Sequence, residues 1–592
     1  MTENYSKIID QIVEQYGKDR SRLMDITRAV QAKLGYLPEE AIGLIPKALG
    51  IHRVEVRDMA SFYAFFSRKP QGKTVIRLCD AVVERMKGAD EVGKAFEKAL
   101  GISFGETTKD GAFTLEHTPC IGLSDQAPGA LINGVPVTNL KPEDVPGIVK
   151  ALQAGQDPAK LPQAEVALDL RKAGEVIFAP MARGAAIREA VNKTPDEVIK
   201  EINVARLRGR GGAGFPTAMK WSFCRKSEGS SHYVVCNADE GEPGTFKDRV
   251  ILTEQPDMLF EGMTVAGYAI GAEEGLLYIR GEYAYLVPTL EQLLAKRRSL
   301  GMLGKNVCGC EGFNFDIRIQ MGAGAYICGE ESALIESLEG KRGAPRDRPP
   351  FPVQKGYKDQ PTSVNNVETL CCAARILEKG AQWFSAIGTK DSTGTKLLSV
   401  SGDCAAPGVY EVPYGITVDQ LLSMVGAVDT QGVQMGGPSG QCLAPKDFGR
   451  SISFEDLPTG GSVIVFGASR DLLGCMRQFI EFFVDESCGW CAPCRVGSTL
   501  LLKTLDKVLA GNGAKQDIDD LKRIGETMKV MSRCGLGQTA ANPVLTTLRN
   551  FSGLYEAKTK PVDYIPSFDL AAALKEACAI TGQRPHLEEE HV

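Results

Sequence analysis

VVCNADEGEPGTFKDR, residues 234–249, runs from an apolar strand into an amide and three carboxylates, Asn237, Asp239, Glu240 and Glu242, before Pro243-Gly244 turns the chain. Polar groups gathered at the C-terminal end of a buried strand form the ligand crevice of an open α/β sheet. A solvated turn would look the same in isolation, so the neighbouring stretches decide. Upstream, LRGRGGAGFPTAMKW (207–221) carries Gly209, Gly211 and Gly214 in the G-x-G-x-x-G spacing that lets a backbone approach a phosphate. Arg206, Arg208, Arg210 and Lys220 add cations for phosphoryl oxygens. Phe215, Trp221 and Phe223 offer flat faces for stacking, although core packing is the commoner role for such rings. No clear strand precedes these glycines and Phe-Pro follows the third, so the geometry differs from the usual dinucleotide fingerprint.

Two downstream stretches repeat the theme. MGAGAYICGEESALIESLEG (321–340) leads a glycine loop through Tyr326 into Gly329-Glu330-Glu331 at a helix start, with Cys328 read as packing. PTSVNNVETL (361–370) sets Val364, Asn365, Asn366 and Thr369 just ahead of another helix. Glycine loops, short apolar strands and amphipathic helices alternate over 175–395, as in a layered α/β domain. Thr194-Pro195-Asp196-Glu197 supplies both capping-box residues and a first-turn proline for one of its helices.

The sharpest metal signal is Cys488-Gly-Trp-Cys491-Ala-Pro-Cys494, followed forty residues later by Cys534. Three thiolates at consecutive C-x2-C spacing wrap one face of a cubane, and a distant fourth closes it. The competing reading is a four-cysteine zinc site. Three ligands within seven residues crowd a tetrahedral ion, which favours the cluster. The other cysteines among the seventeen, such as Cys224, Cys236 and Cys371, lack ligand-like spacing and read as small buried hydrophobes.

Around this centre the chain divides further. Residues 1–70 read as a helical bundle. Residues 71–153 follow a strand–helix–hairpin–helix pattern with Asn133-Gly134 at the hairpin turn, and a Pro/Ala/Gln-rich linker covers 154–174. A small β-rich module spans 396–467, a helical segment with the cysteines spans 468–557, and 558–592 reads as a partly disordered tail or docking arm. A chain of 592 residues with 43% hydrophobic and 24% charged residues suits a multidomain globular protein. No run reaches the ~18 apolar residues of a membrane span, and the acidic, amphipathic start does not resemble a signal peptide. A net charge of −6 with interspersed cations gives no reason to expect nucleic acid. Many cysteines without an export signal point to a reducing, cytoplasmic setting.

Taken together, the four stretches resemble the flavoprotein subunit of respiratory complex I and its relatives, over about 175–555. The resemblance implies a Rossmann-like flavin domain, a β-grasp module and a C-terminal helical bundle holding one 4Fe–4S cluster on Cys488, Cys491, Cys494 and Cys534. It implies FMN bound by Gly209, Gly211, Lys220, Asn237, Asp239, Glu240, Tyr326, Gly329, Glu330, Val364, Asn365, Asn366 and Thr369. NAD(H) would lie against Phe215, Phe223, Glu242, Glu331, Arg348 and Phe351, the arginine standing where the family often has lysine.

Residues 1–153 resemble the thioredoxin-like 24-kilodalton component of the same complex, joined here ahead of the flavoprotein. That component binds 2Fe–2S through C-x4-C and C-x3-C patterns. This chain has Cys79 with Glu84, and Cys120 with Ser124, so two thiolates are missing and the cluster is expected to be absent. Fusion, that loss and the phrase TPCIGLSDQAPGALI (118–132) look most like the diaphorase large subunit of soluble NAD-reducing nickel–iron hydrogenases. Implied partners are an iron–sulfur electron-transfer subunit and nickel–iron hydrogenase subunits, since the paired motifs for nickel are missing here. The implied activity is hydride exchange between NAD(H) and FMN, then single-electron transfer through the cluster, with no catalytic acid or nucleophile required. The alternatives are the NADH-oxidising module of complex I or of an NAD-dependent formate dehydrogenase and, from another class, a non-catalytic assembly subunit.

Overall fold

The computed structural model describes residues 2–566 and 570–583. At its centre lies a four-stranded, wholly parallel sheet in the order Asp316–Met321, Glu274–Ile279, Tyr233–Ala238, Thr362–Asn366. The first three strands are laid down in one direction along the sheet. The fourth then returns to the far side of Tyr233–Ala238, so strand order reverses between Tyr233–Ala238 and Thr362–Asn366. Asn237 and Asn366 are register partners at the ends of these two strands. Loops diverge at such a reversal and leave a crevice.

Apolar runs such as YVVC and GLLYI require cover on both faces. Val234, Cys236, Leu277 and Ile279 point to one face and pack with helices Pro256–Ile270 and Val367–Lys379. Val235, Leu276 and Tyr278 alternate to the other, where they meet Ile9, Leu23, Ile26, Val30, Ile45 and Val56 of the N-terminal helices. The helices of residues 2–62 therefore form the third layer of the flavin-type domain. The capping box of helix Pro195–Val204 is in place, with Glu197 accepting from the Thr194 N–H at 2.8 Å and Thr194 Oγ1 from the Glu197 N–H at 3.3 Å.

The thioredoxin-like domain has the strand order Phe113–Thr118, Thr74–Cys79, Ala130–Ile132, Val135–Val137. Its Asn133-Gly134 turn takes positive φ at both residues, 51° and 82°, as a tight hairpin demands. The β-rich module is a six-stranded sheet, and the linker supplies its edge: Leu170–Lys172 pairs with Gly408–Pro413. Helices Leu472–Glu486, Ala492–Lys507, Lys515–Met531 and Asn542–Asn550 build the C-terminal bundle. Of the expected tail, helix Leu570–Thr581 is described, and residues 584–592 lie outside the described residues.

Candidate functional site

The strand reversal brings several of the residues singled out in the sequence together. Asn237 Nδ2 donates to the Gly329 carbonyl at 2.8 Å, and a Cβ at Gly329 would come within 3.2 Å of the Asp239 carbonyl. Across the crevice, a Cβ at Gly211 would meet that of Asn366 at 3.3 Å, so the glycine loop lies against the end of the fourth strand. Lys220 Nζ reaches the Val364 carbonyl at 3.0 Å and the Glu331 carboxylate at 3.2 Å. Arg348 pairs with Glu330 and, at 3.2 Å, with Glu331. Tyr326 OH donates to Glu242 at 2.5 Å, and Glu242 also accepts from the Ser439 N–H at 2.8 Å.

The electrostatics suit an electron-rich ligand. Asp239 is pushed well above the usual carboxylate range by burial, although Arg280 opposes this, and its Oδ2 is buried without a hydrogen-bond partner. A neutral acid can donate to a bound ring or phosphate where a carboxylate would repel it. Burial also raises Glu242. Phe215, Phe223 and Phe351 stay 44–48% exposed, as stacking surfaces must.

Several side chains near the crevice bond to the protein itself. Arg210 does not face a phosphate: it is buried, and its guanidinium donates to the carbonyls of Arg208, Thr393 and Thr395. That makes it the internal brace of the glycine loop. Arg208 is likewise held, by the Gly214 carbonyl at 2.8 Å. Trp221 is wholly buried and donates to Asn365 Oδ1 at 3.1 Å, so packing is its role. The Thr369 hydroxyl accepts from the Arg210 N–H at 2.8 Å. The Glu240 carboxylate turns away from the crevice to accept from the N–H groups of Asp248 (2.7 Å) and Arg249 (3.1 Å).

Sequence reasoning missed a buried polar set behind Asn366. Asn366 Nδ2 donates to Asp248 at 2.7 Å, Lys247 bridges Asp248 (2.6 Å) and Glu368 (3.1 Å), and Lys396 pairs with Glu368 at 2.5 Å. A sequence signal existed for Lys247 and Asp248, inside the 234–249 stretch, and for Glu368, inside 361–370, but not for Lys396.

Two of the four thiols stand at helix starts. Cys491 caps helix Ala492–Lys507, and Cys534 caps the turn Gly535–Thr539. Burial raises Cys494 and Cys534 to about 11, with Cys488 adding to both and Cys491 to the former, so the sulfurs feel one another. Cys494 and Cys534 share a core with Ile327 and Ala333, and Tyr326 packs against it. The turn Tyr326–Gly329 therefore has the crevice on one side and the thiols on the other. Among the described residues no three Cys, His, Asp or Glu side chains are grouped as ligands of a single metal ion.

The thioredoxin-like domain offers a different donor set. Cys79, Glu84, Cys120 and Ser124 are all buried, with Cys120 Sγ 3.7 Å from Ser124 Oγ. Burial pushes Glu84 up to about 8, and both its oxygens lack a hydrogen-bond partner of ordinary geometry. Two thiols, a neutral acid and a hydroxyl do not fit a 2Fe–2S cluster.

Comparison with known proteins agrees with this division. The Nuo51 FMN-binding domain family matches residues 202–375, the thioredoxin-like [2Fe-2S] ferredoxin family 9–153, and the NADH-ubiquinone oxidoreductase-F iron–sulfur binding region 474–558. The chain is 48% identical to the NAD-reducing hydrogenase HoxS subunit alpha of Cupriavidus necator, over 96% of this chain and 97% of that one. It is 42% identical to an NADH-quinone oxidoreductase subunit of Rhizobium meliloti, over 63% of this chain and 91% of that one. A crystal structure of an NAD+-reducing [NiFe]-hydrogenase in its H2-reduced state contains a chain that superposes with a TM-score of 0.89 at 40% identity, covering 97% of this chain and all of that one.

Proposed function

Because this chain belongs to the family of the NAD-reducing hydrogenase alpha subunits, we propose that the crevice at the strand reversal is where NAD(H) and FMN meet and that the four thiols beside it take the electrons onward. The chain is an NAD-dependent flavin oxidoreductase subunit with an FMN-binding domain and an iron–sulfur region. The observation that carries the site assignment is the shared wall: Tyr326–Gly329 separates crevice from thiols by a single turn of chain.

Bound FMN supplies the chemistry, accepting hydride from nicotinamide and releasing electrons singly to a 4Fe–4S cluster. The protein's own part is positioning. Gly209 and Gly211 admit the phosphate closely, and Lys220 stands at the strand end to balance its charge. Asn237 and Asn366 present amides on either side of the reversal, and the uncharged Asp239 carboxyl would donate a hydrogen bond to the flavin edge. Phe215, Phe223 and Phe351 stack the dinucleotide, while Glu242 and Glu331 accept from ribose hydroxyls, with Arg348 holding the latter in place. Cys488, Cys491, Cys494 and Cys534 ligate the cluster, whose anionic character suits helix N-termini.

Electrons leave to an iron–sulfur subunit and nickel–iron subunits of a hetero-oligomer, in the cytoplasm. Among the described residues no helix is long and apolar enough to cross a membrane. The NADH-quinone oxidoreductase reading shares the flavin body, but the fused front domain with its altered ligand set favours the hydrogenase type. The test is the purified chain: flavin absorbance, about four irons per chain and NADH-dependent dye reduction support the assignment. About six irons, or a 2Fe–2S electron paramagnetic resonance signal from this chain alone, would overturn the cluster count.

A further inference from the structure

The loop of residues 118–126 contains Cys120 and Ser124, two positions of the altered ligand pattern, yet its contacts lead to the flavin crevice. Arg280, 4% exposed, donates to the Cys120 carbonyl at 2.6 Å and to the Glu240 carbonyl, and pairs with Glu282. Arg249, 2% exposed, donates to the Gly122 carbonyl at 3.0 Å and to the Asp125 carboxylate at 2.8 Å. Gly122 has φ +72°, and a Cβ there would fall 2.0 Å from the Tyr283 hydroxyl, so the loop backbone lies directly on that ring. Tyr283 OH donates to the Glu240 carboxylate at 2.9 Å, and Glu240 holds the first turn of helix Lys247–Glu254 through the N–H groups of Asp248 and Arg249. Asp248 in turn accepts from the Asn366 amide at the strand reversal.

We infer that this loop is a positioning element of the flavin crevice: through Tyr283–Glu240 and Arg249–Asp125 it fixes Asp248 and hence the Asn366 amide before FMN arrives. The inference rests on the crevice being the FMN site. Without the loop, two buried guanidinium groups would lose acceptors, which buried charge tolerates poorly. A crevice already ordered spares the ligand that ordering cost on binding.

The experiment uses the full chain as Tyr283→Phe and Asp125→Asn, with Ile148→Val as a comparison variant in the same domain, in a core that includes no residue of the loop. FMN is removed reversibly and its dissociation constant measured by fluorescence titration, alongside iron content and circular dichroism. A folded Tyr283→Phe should bind FMN about tenfold more weakly, the order of a lost hydrogen bond to a charged group, with iron content unchanged. Asp125→Asn, which removes only charge, should shift it in the same direction and serves if Tyr283→Phe does not fold. Ile148→Val should bind as the wild type does. Wild-type affinity in both test variants, or equal weakening in Ile148→Val, overturns the inference. A wild-type chain that binds no FMN overturns the crevice reading itself.

Discussion

Glu242 stands where the dinucleotide would meet the wall that separates flavin from thiols, locked by Tyr326 OH and the Ser439 N–H. A fixed carboxylate accepts from a ribose hydroxyl and repels a 2′-phosphate. Glu242→Gln should therefore raise NADPH turnover relative to NADH, by roughly tenfold, read from kcat/KM for the two substrates. Because burial lifts this carboxyl above its usual range, lowering the pH should protonate it early and weaken the discrimination of the wild type. The glutamine variant should show no such trend. Equal preference in variant and wild type contradicts the assignment. At Cys534, substitution by alanine should lose the cluster, seen as iron loss, while some flavin stays bound. The thiols at 488, 491 and 494 drew notice because their spacing is local. The set Lys247, Asp248, Glu368 and Lys396 did not, since three separate segments meet only once strand register is known. Arg210 misled for the opposite reason: a cation beside glycines reads as a phosphate partner until the carbonyls of Thr393 and Thr395 fold back onto it.

Among elements, the thioredoxin-like sheet has its hairpin where Asn133-Gly134 dictated, and the Thr194 capping box formed as written, because both signals act within a few residues. Strand Leu170–Lys172 was read as linker: LRK has no alternation to betray it, and its order comes from an edge some 240 residues away. The altered ligand set within this domain has a measurable signature. Glu84 ionises near 4.5 when unfolded but at about 8 when folded, so the folded form holds the extra proton between those values. Its contribution is intact below about 4.5 and is lost progressively as pH rises to about 8. Glu84→Gln, neutral throughout, should have a thermal midpoint several degrees above that of the wild type at pH 8.5 but not at pH 4.5; an unchanged difference between the two pH values counts against a buried neutral acid. Replacing Cys79 and Cys120 by serine should scarcely alter NADH–dye reduction. Full flavin and normal assembly combined with failure to pass electrons to the partners would mean that the two thiols still hold a redox centre.

For the whole molecule, the N-terminal helices matter more than their place in the sequence suggests. Their periodicity announced helices, but nothing local said that Ile26 and Val30 share one core with Val235 and Leu276. Deleting residues 1–70 should bare one face of the parallel sheet and give insoluble, flavin-free protein, whereas a soluble flavin-loaded truncation would show the sheet to be self-sufficient. Deleting residues 1–153 removes those helices as well, so it should likewise leave no soluble chain to co-purify with the partner subunits. Joining these domains in one chain has a further consequence for the contacts of Arg249 and Arg280. Two freely diffusing proteins must recover from their mutual surface the translational and rotational freedom they give up on meeting, and buried charge is a poor source of that surplus. A covalent connection holds the two surfaces at millimolar effective concentration. Polar junctions too weak to survive dilution between separate chains can then persist at any protein concentration, and selection is free to tune them for geometry rather than for grip.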